Sequence, residues 1–341
     1  MKKKNALKNN TDFKLLAGQK LIIGFDGYEL NDDLKFLISE LKIGGIVLFS
    51  RNIKSPSQLR TLINHIIEFA AISNTPKLFI SIDQEGGVVA RLKKPFKVFK
   101  GNPYIKNTKE AENFAKAQAL ELNKLKINMN FAPVLDVIPH NYKSIMEKRA
   151  FAGSAEVVSE LGSKVITTMQ KFNIMAVAKH FPGIGRTKLD SHFELPMVNR
   201  NINKLFSEEL IPFENAVNID VTGIMLSHIL YPEIDSAWQA SLSFKIAKEL
   251  LREKMGFKGL IMTDDLDMKA IKHTIKTSAE QILKSDIDIA LICHKGPDME
   301  NMFNEFKNLM ENNKKLLGSA QKSLKRIQDT KKKYLTKKYL I

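Results

Sequence analysis

The sequence predicts an α/β protein, a closed (β/α)8 barrel in a single domain, and two observations carry that expectation. Eight short, uniformly apolar runs alternate with helical patterns, and a charged or imidazole side chain follows at or just beyond the end of each run. Runs that short suit strands buried on both faces. In a barrel the C-terminal ends of all eight converge on one face, where an active site is built. A doubly wound open sheet would alternate in the same way, and the count of eight favours closure.

The runs are 21–25, 46–49, 78–82, 129–133, 175–178, 223–226, 260–262 and 287–292, and just beyond them stand Asp26, Arg51, Asp83, Asp136, Lys179 with His180, His228, Asp264 and His294. Helices between them carry readable caps. Ser55-Pro56-Ser57-Gln58 supplies an N-cap, a proline at the first helical position and a capping-box partner, and Leu59, Leu62, Ile63, Ile66 and Ile67 follow at helical spacing. Ser243 opens a second helix with Ile246, Ala247, Leu250 and Leu251, which Gly256 can close. Met129, Met175, Met225 and Met262 lie on the runs and read as core filler. The expected division is a disordered or extended basic segment over 1–14, the barrel over 15–300, and a helical extension over 301–341 with a lysine-rich tail packed outside the barrel.

Composition narrows the function. The chain has 341 residues, 44% of them hydrophobic, which is enough for a large core. Its one cysteine, Cys293, cannot form an intramolecular disulfide, and a reducing compartment follows as the expectation. Met1-Lys2-Lys3-Lys4 is followed by polar residues instead of an apolar segment, so no export signal is read, and the expected location is the cytoplasm. No apolar run approaches the ~18 residues of a membrane span. The net charge of +16 comes largely from lysine, without an aromatic-basic recognition motif, so nucleic acid is not an expected partner. A basic surface can also steer anionic substrates.

Three segments could carry chemistry. From Lys179-His180-Phe181-Pro182-Gly183 to Asp190-Ser191-His192 the chain reads as a polar loop leaving a strand. A carboxylate two residues before a histidine can fix its tautomer and raise its basicity, as a general acid/base needs, or it can simply cap a turn. Asp264 follows Leu260-Ile261-Met262-Thr263 and is itself followed by Asp265. Of two adjacent carboxylates, one can enter the pocket while the other caps a helix beginning near Leu266. On spacing alone, nucleophile, metal ligand and cap remain open for Asp264. Metal binding is weakened by the lack of His-x-x-x-His or clustered Cys/His spacing. Asp83, in Ser81-Ile82-Asp83-Gln84-Glu85-Gly86-Gly87, and Arg91 could bind neighbouring hydroxyls of a sugar or close the barrel mouth as an ion pair. The glycine pair lacks phosphate-loop spacing, which argues against a nucleotide. His228 either lines the pocket or, the favoured account, is a buried histidine satisfied by backbone, and Asp136 and Arg51 read as barrel-mouth salt-bridge partners ahead of ligand contacts.

These residues resemble glycoside hydrolase family 3, in particular its single-domain β-N-acetylhexosaminidases. The resemblance rests on the loop 179–192, on Gly256-Phe257-Lys258-Gly259 through Thr263-Asp264-Asp265, on 81–87, and on 44–52, 131–137, Arg149-Ala150-Phe151 and 225–228. It covers roughly residues 15 to 295 in the family's order. It implies a TIM-type barrel without a cofactor, Asp264 as nucleophile, and Asp190 with His192 as the acid/base dyad. Asp83, Arg91, Arg149, Lys179 and His180 match positions that hold the terminal sugar. The implied reaction is retaining hydrolysis of a terminal β-linked N-acetylglucosamine, and the implied substrate is a muropeptide fragment of peptidoglycan recycling. A monomer with no macromolecular partner is expected. Ile184, Arg186 and Gln239 depart from the usual pattern without replacing a catalytic position. The alternatives are a phosphorylase, since a neutral acid/base tolerates phosphate, a broader glucosidase/hexosaminidase, and a silent sugar-binding module.

Overall fold

The computed structural model describes residues 11–187, 196–268 and 273–336. Eight parallel strands close a barrel: β1 (Leu21–Ile23), β2 (Gly45–Leu48), β3 (Phe79–Ile82), β6 (Met129–Asn130), β7 (Met175–Phe181), β8 (Gly223–Leu226), β9 (Leu260–Asp265) and β10 (Ile289–Ile292). After β3, Gln84–Gly86 (β4) and Val89–Ala90 (β5) form a small antiparallel hairpin at the barrel mouth. Closure comes from the pairing of β1 with both β2 and β10. Along most of the barrel the strands present apolar side chains both inward and outward. Ile22, Val47, Phe79, Met129, Met175, Met225, Met262 and Ile289 fill the interior. Their neighbours Ile46, Ile80, Ala176, Ile224 and Ile261 pack against the surrounding helices. The four strand methionines are buried core residues, as the sequence suggests.

Two strands run further than their apolar runs. β7 extends through Lys179 and His180 to Phe181, and β9 through Asp264 to Asp265. The loop expected from Lys179 therefore begins only after Phe181. β6 is shorter than its run: the Ala132 N–H turns back onto the Asn130 carbonyl at 2.8 Å instead of joining the ladder, and pairing resumes as a single bridge between Val134 and Lys179.

The helix Pro56–Ile72 is capped by Ser55, whose side chain accepts the N–H of Gln58. The Gln58 side chain takes the N–H of Lys54 instead of that of the cap, one residue off the expected box. Ser243 likewise accepts from the Ile246 N–H, and the segment Lys245–Lys254 that follows is wound as a π-helix ending before Gly256, whose φ of +70° suits glycine. The helix expected near Leu266 begins instead at Ile275, with Thr274 as its cap. Asp265 serves a turn and a neighbouring strand end: its Oδ1 accepts the N–H of Asp267 and of Cys293.

Residues 1–10 lie outside the described ones, and a short helix, Phe13–Gly18, starts on Asp12. At the other end, the helices Asp298–Asn312 and Lys314–Leu335 follow the last strand. The second does more than lie alongside the barrel. Ile327 and Tyr334 join the interior cluster, and the Lys331 ammonium reaches Gln19 Oε1 at 2.7 Å and the Gly44 carbonyl at 2.8 Å beneath the starts of β1 and β2. No helix among the described residues is long and apolar enough to cross a membrane.

Candidate active site

At the C-terminal ends of β3, β7 and β9 the inward-facing side chains change from apolar to charged. Lys179, near the end of β7, is buried and pairs at 2.7 Å with both Asp83 and Glu85. Residues 83 and 85 are two apart along an extended chain, so both carboxylates turn to the same side. Arg149 arrives from the long connection after β6 and forks onto Glu85, with Nε at 3.0 Å from Oε2 and Nη2 at 2.7 Å from Oε1. Such a two-point pair fixes the plane of the guanidinium as well as its position. Arg91 closes the other side of Asp83 at 3.3 Å and lies over the Phe49 ring.

His180 sits beside Lys179 on β7 and points to Asp136. Its Nδ1 lies 2.8 Å from Asp136 Oδ2, and its Nε2 lies 3.2 Å from Arg149 Nη2. Since a guanidinium can only donate, Nε2 accepts there and Nδ1 carries the proton given to Asp136. The other Asp136 oxygen accepts the backbone N–H of His180 at 3.3 Å and of Ile184 at 2.8 Å. One buried carboxylate thus orients the imidazole and pins the chain where it leaves β7.

Asp264 stands half-buried on β9, and its Oδ1 accepts the N–H of Asp265 at 2.9 Å. Burial pushes its carboxyl up, but the imidazoles of His228 and His180, that N–H and the Lys179 ammonium outweigh it and hold the group below the ordinary carboxylate range. Its neighbour goes the other way. Burial, together with the charge of Asp267, pushes Asp265 up to about 6. Asp83 resembles Asp264: burial is outweighed by Lys179 and Arg91, and its carboxyl is held at about 2. Burial opposes the charge on Lys179 too, yet Asp83 and Glu85 keep its affinity for the proton above the ordinary value. His228 meets the Asp265 carbonyl through Nε2 at 2.6 Å and Ser241 Oγ through Nδ1 at 2.6 Å, the backbone-satisfied histidine the sequence suggests. A carbonyl only accepts, so Nε2 bears the hydrogen.

Asp83, Arg91, Arg149, Lys179 and His180 therefore share one connected network, and Asp264 lies within the electrostatic reach of two of them. Asp190 and His192 fall in 188–195, outside the described residues. Arg51, as expected, is a salt-bridge residue, 2.7 Å from Asp26. The sequence reading missed Glu85, the acceptor that joins Lys179 to Arg149, and the dual role of Asp136. The i, i+2 spacing of Asp83 and Glu85 was the available signal for the first; nothing local marks the second, whose partner is 44 residues away. Chemically, the site offers an ionised carboxylate beside a ring of donors held in fixed directions, suited to a neutral, hydroxyl-rich ligand.

Comparison with known proteins points the same way. A model of the glycosyl hydrolase family 3 N-terminal domain matches residues 14–329. A beta-hexosaminidase of Nitrosomonas eutropha is 32% identical over 286 residues, which is 80% of each chain. Beta-hexosaminidase A of Pseudoalteromonas piscicida is 33% identical over 315 residues, and the match spans 81% of this chain but only 53% of that longer protein. Among solved structures, a family 3 β-N-acetylglucosaminidase from a Paenibacillus species superposes with a TM-score of 0.89 at 33% identity, covering 94% of this chain and 62% of the other. NagZ from Neisseria gonorrhoeae superposes with a TM-score of 0.77 at 27% identity, covering 92% and 93%. With a family model spanning nearly the whole barrel and its terminal helices, the chain belongs to glycosyl hydrolase family 3.

Proposed function

We propose that this chain is a retaining β-N-acetylhexosaminidase that removes a terminal, non-reducing β-linked N-acetylglucosamine. The observation that carries the reading is Asp264: a half-buried carboxylate on β9, kept ionised by its surroundings, at a mouth lined by the Lys179, Arg149 and His180 network. Ionised and partly desolvated, it is equipped to attack an anomeric carbon and form a covalent glycosyl-enzyme. Lys179, Arg149, Arg91, His180 and Asp83 hold the hydroxyls of the terminal sugar. By the resemblance, His192 protonates the departing oxygen and then activates water, with Asp190 orienting it.

The natural substrate in this reading is an N-acetylglucosaminyl-anhydromuramyl fragment of the cell wall, met in the cytoplasm by a monomer, and the barrel with its two terminal helices works as one catalytic unit. The relatives' printed activities support the removal of N-acetylglucosamine, the buried free Cys293 suits a reducing compartment, and the cell-wall fragment follows from the family resemblance. The test is product analysis on aryl N-acetyl-β-glucosaminides with and without phosphate. Release of free N-acetylglucosamine, first as the β-anomer, is expected in both. The α-anomer as first product would overturn retention, and phosphate-dependent release of sugar phosphate would make the enzyme a phosphorylase.

A further inference from the structure

From Gly86 to Lys109 the chain contains seven cationic residues, Arg91, Lys93, Lys94, Lys97, Lys100, Lys106 and Lys109, and no acidic one. Some exposed lysines elsewhere face acids, as in Lys35–Asp32, Lys284–Glu280 and Lys325–Asp329, and others do not; what sets this stretch apart is that no acidic residue lies within it. Here Lys93, Lys94, Lys97 and Lys100 are exposed and form no ion pair among the described residues. Lys97 and Lys100 rest over the rings of Phe99 and Tyr104, with Val98 (59%) and Tyr104 (64%) exposed beside them.

Both ends of this strap are fastened to the sugar-binding network. At one end Gln84 Oε1 accepts the N–H of Arg91 and of Leu92, and the Arg91 side chain holds Asp83. At the other, Asn102 Nδ2 donates to the Arg149 carbonyl at 3.1 Å, and Gly101 lies against Gly86. An added Cβ on Gly86 would sit 2.9 Å from Gly101 Cα, so the strap's return is pressed against the hairpin that carries Glu85. Between those anchors lie the four exposed lysines, on a segment tied at both ends to residues of the mouth.

We infer that this strap is an anion-binding surface for the part of the substrate beyond the cleaved bond, and that it selects aglycones bearing carboxylates. The inference deepens the hydrolase reading and rests on it. Unpaired ammonium groups beside a cleft raise the local concentration of an anionic ligand and lose that effect as salt screens them. Exposed Val98 and Tyr104 offer apolar contact to the sugar or peptide backbone carrying those charges.

The experiment compares two disaccharide substrates, each a β-N-acetylglucosaminide: one whose second sugar carries a lactyl carboxylate, and its methyl ester. The wild type is set against the combined variant Lys93→Ser, Lys94→Ser, Lys97→Ser, Lys100→Ser, with folding checked by circular dichroism. The wild type is expected to prefer the acid by about tenfold in kcat/KM at low salt, a steering-sized effect that shrinks in 0.5 M salt. The variant is expected to lose that preference while turning over the ester as before. A preference that survives in the variant, or an ester rate that falls in step with the acid, would overturn the inference. So would a short DNA duplex that competes with the acid as strongly as a carboxylate-bearing glycan does, since the strap would then belong to nucleic acid. Should neither substrate be hydrolysed, the hydrolase reading fails on its own. The role of the strap is then decided by calorimetry of the acid and the ester on the wild type and the lysine variant, in which equal binding of the two by the wild type counts against it.

Discussion

Two adjacent aspartates on one strand end are driven to opposite protonation behaviour, and that contrast yields the sharpest residue-scale predictions. Asp264 is held ionised, whereas Asp265 is pushed up to about 6 by burial and by Asp267. Asp264→Asn should cost roughly 10^4-fold in kcat on an aryl N-acetylglucosaminide, as loss of a nucleophile does. Asp265→Asn should retain turnover, because the Asn oxygen can still accept the N–H groups of Asp267 and Cys293. The sign for Asp265 is that of a carboxyl whose proton is bound more tightly in the folded state, so its charged form costs stability above pH 6. The variant should therefore gain on the wild type as pH rises from about 4 to about 6 and keep that gain, without further increase, above it, as read by thermal melts. Asp83 has the opposite sign: held at about 2, it contributes stability that is complete above the unfolded value near 4 and lost as pH falls toward 2. Removing the charge of Glu85 by Glu85→Gln leaves Lys179 and Arg149 with one acceptor fewer between them. A fall of about ten- to a hundredfold in kcat/KM is expected, with KM raised more than kcat is lowered, since in the proposed reading Lys179 and Arg149 hold the sugar and their aim is what suffers.

At the scale of elements, the strand ends matter more than the strands. Gly185 lies where the chain leaves β7, and a Cβ there would fall 1.8 Å from the Val137 carbonyl. Gly185→Ala should cost about 1–3 kcal/mol in stability, the usual range for overpacking, and lower activity beyond that loss when assayed well below the melting temperature. The same ends show how far the sequence could be read. Eight apolar runs placed all eight barrel strands, because a strand buried on both faces has no alternation to obscure it. The apolar signal stops at Ala178 and Met262, however, while the ladder continues through Lys179, His180, Asp264 and Asp265. Charged residues and an imidazole break the hydrophobic pattern, so the strand looks shorter than it is, and the proposed site begins where the pattern fails. Glu85 escaped for a related reason: its partners are two distant cations, Arg149 from a connection and Lys179 from β7, 64 and 94 residues later in the chain.

Over the whole molecule, the mouth of the barrel and its floor are built by opposite means. The mouth gathers paired charges, while the floor is closed by a helix that places a lysine among neutral acceptors. Burial pushes Lys331 down to about 7. A lysine whose folded affinity for the proton is weakened costs stability while charged, and that cost fades as pH rises from about 7 toward 10.5. The melting temperature of the wild type should accordingly rise relative to Lys331→Met across that interval, and a flat difference would contradict the placement of Lys331. That the last helix contributes to the barrel interior was not legible from its lysine-rich composition, because Ile327, Lys331 and Tyr334 recur at helical spacing inside a run that otherwise reads as a solvated face. The central claim, that Asp264 attacks the sugar, is tested most directly by trapping. The enzyme is treated with a fluorinated, activated N-acetylglucosaminide that forms the glycosyl-enzyme faster than water removes it, then digested and mapped by mass spectrometry. One sugar on the peptide containing Asp264, absent from Asp264→Asn, is the predicted result; a sugar attached to any other residue, or turnover without a trapped adduct, would contradict the account.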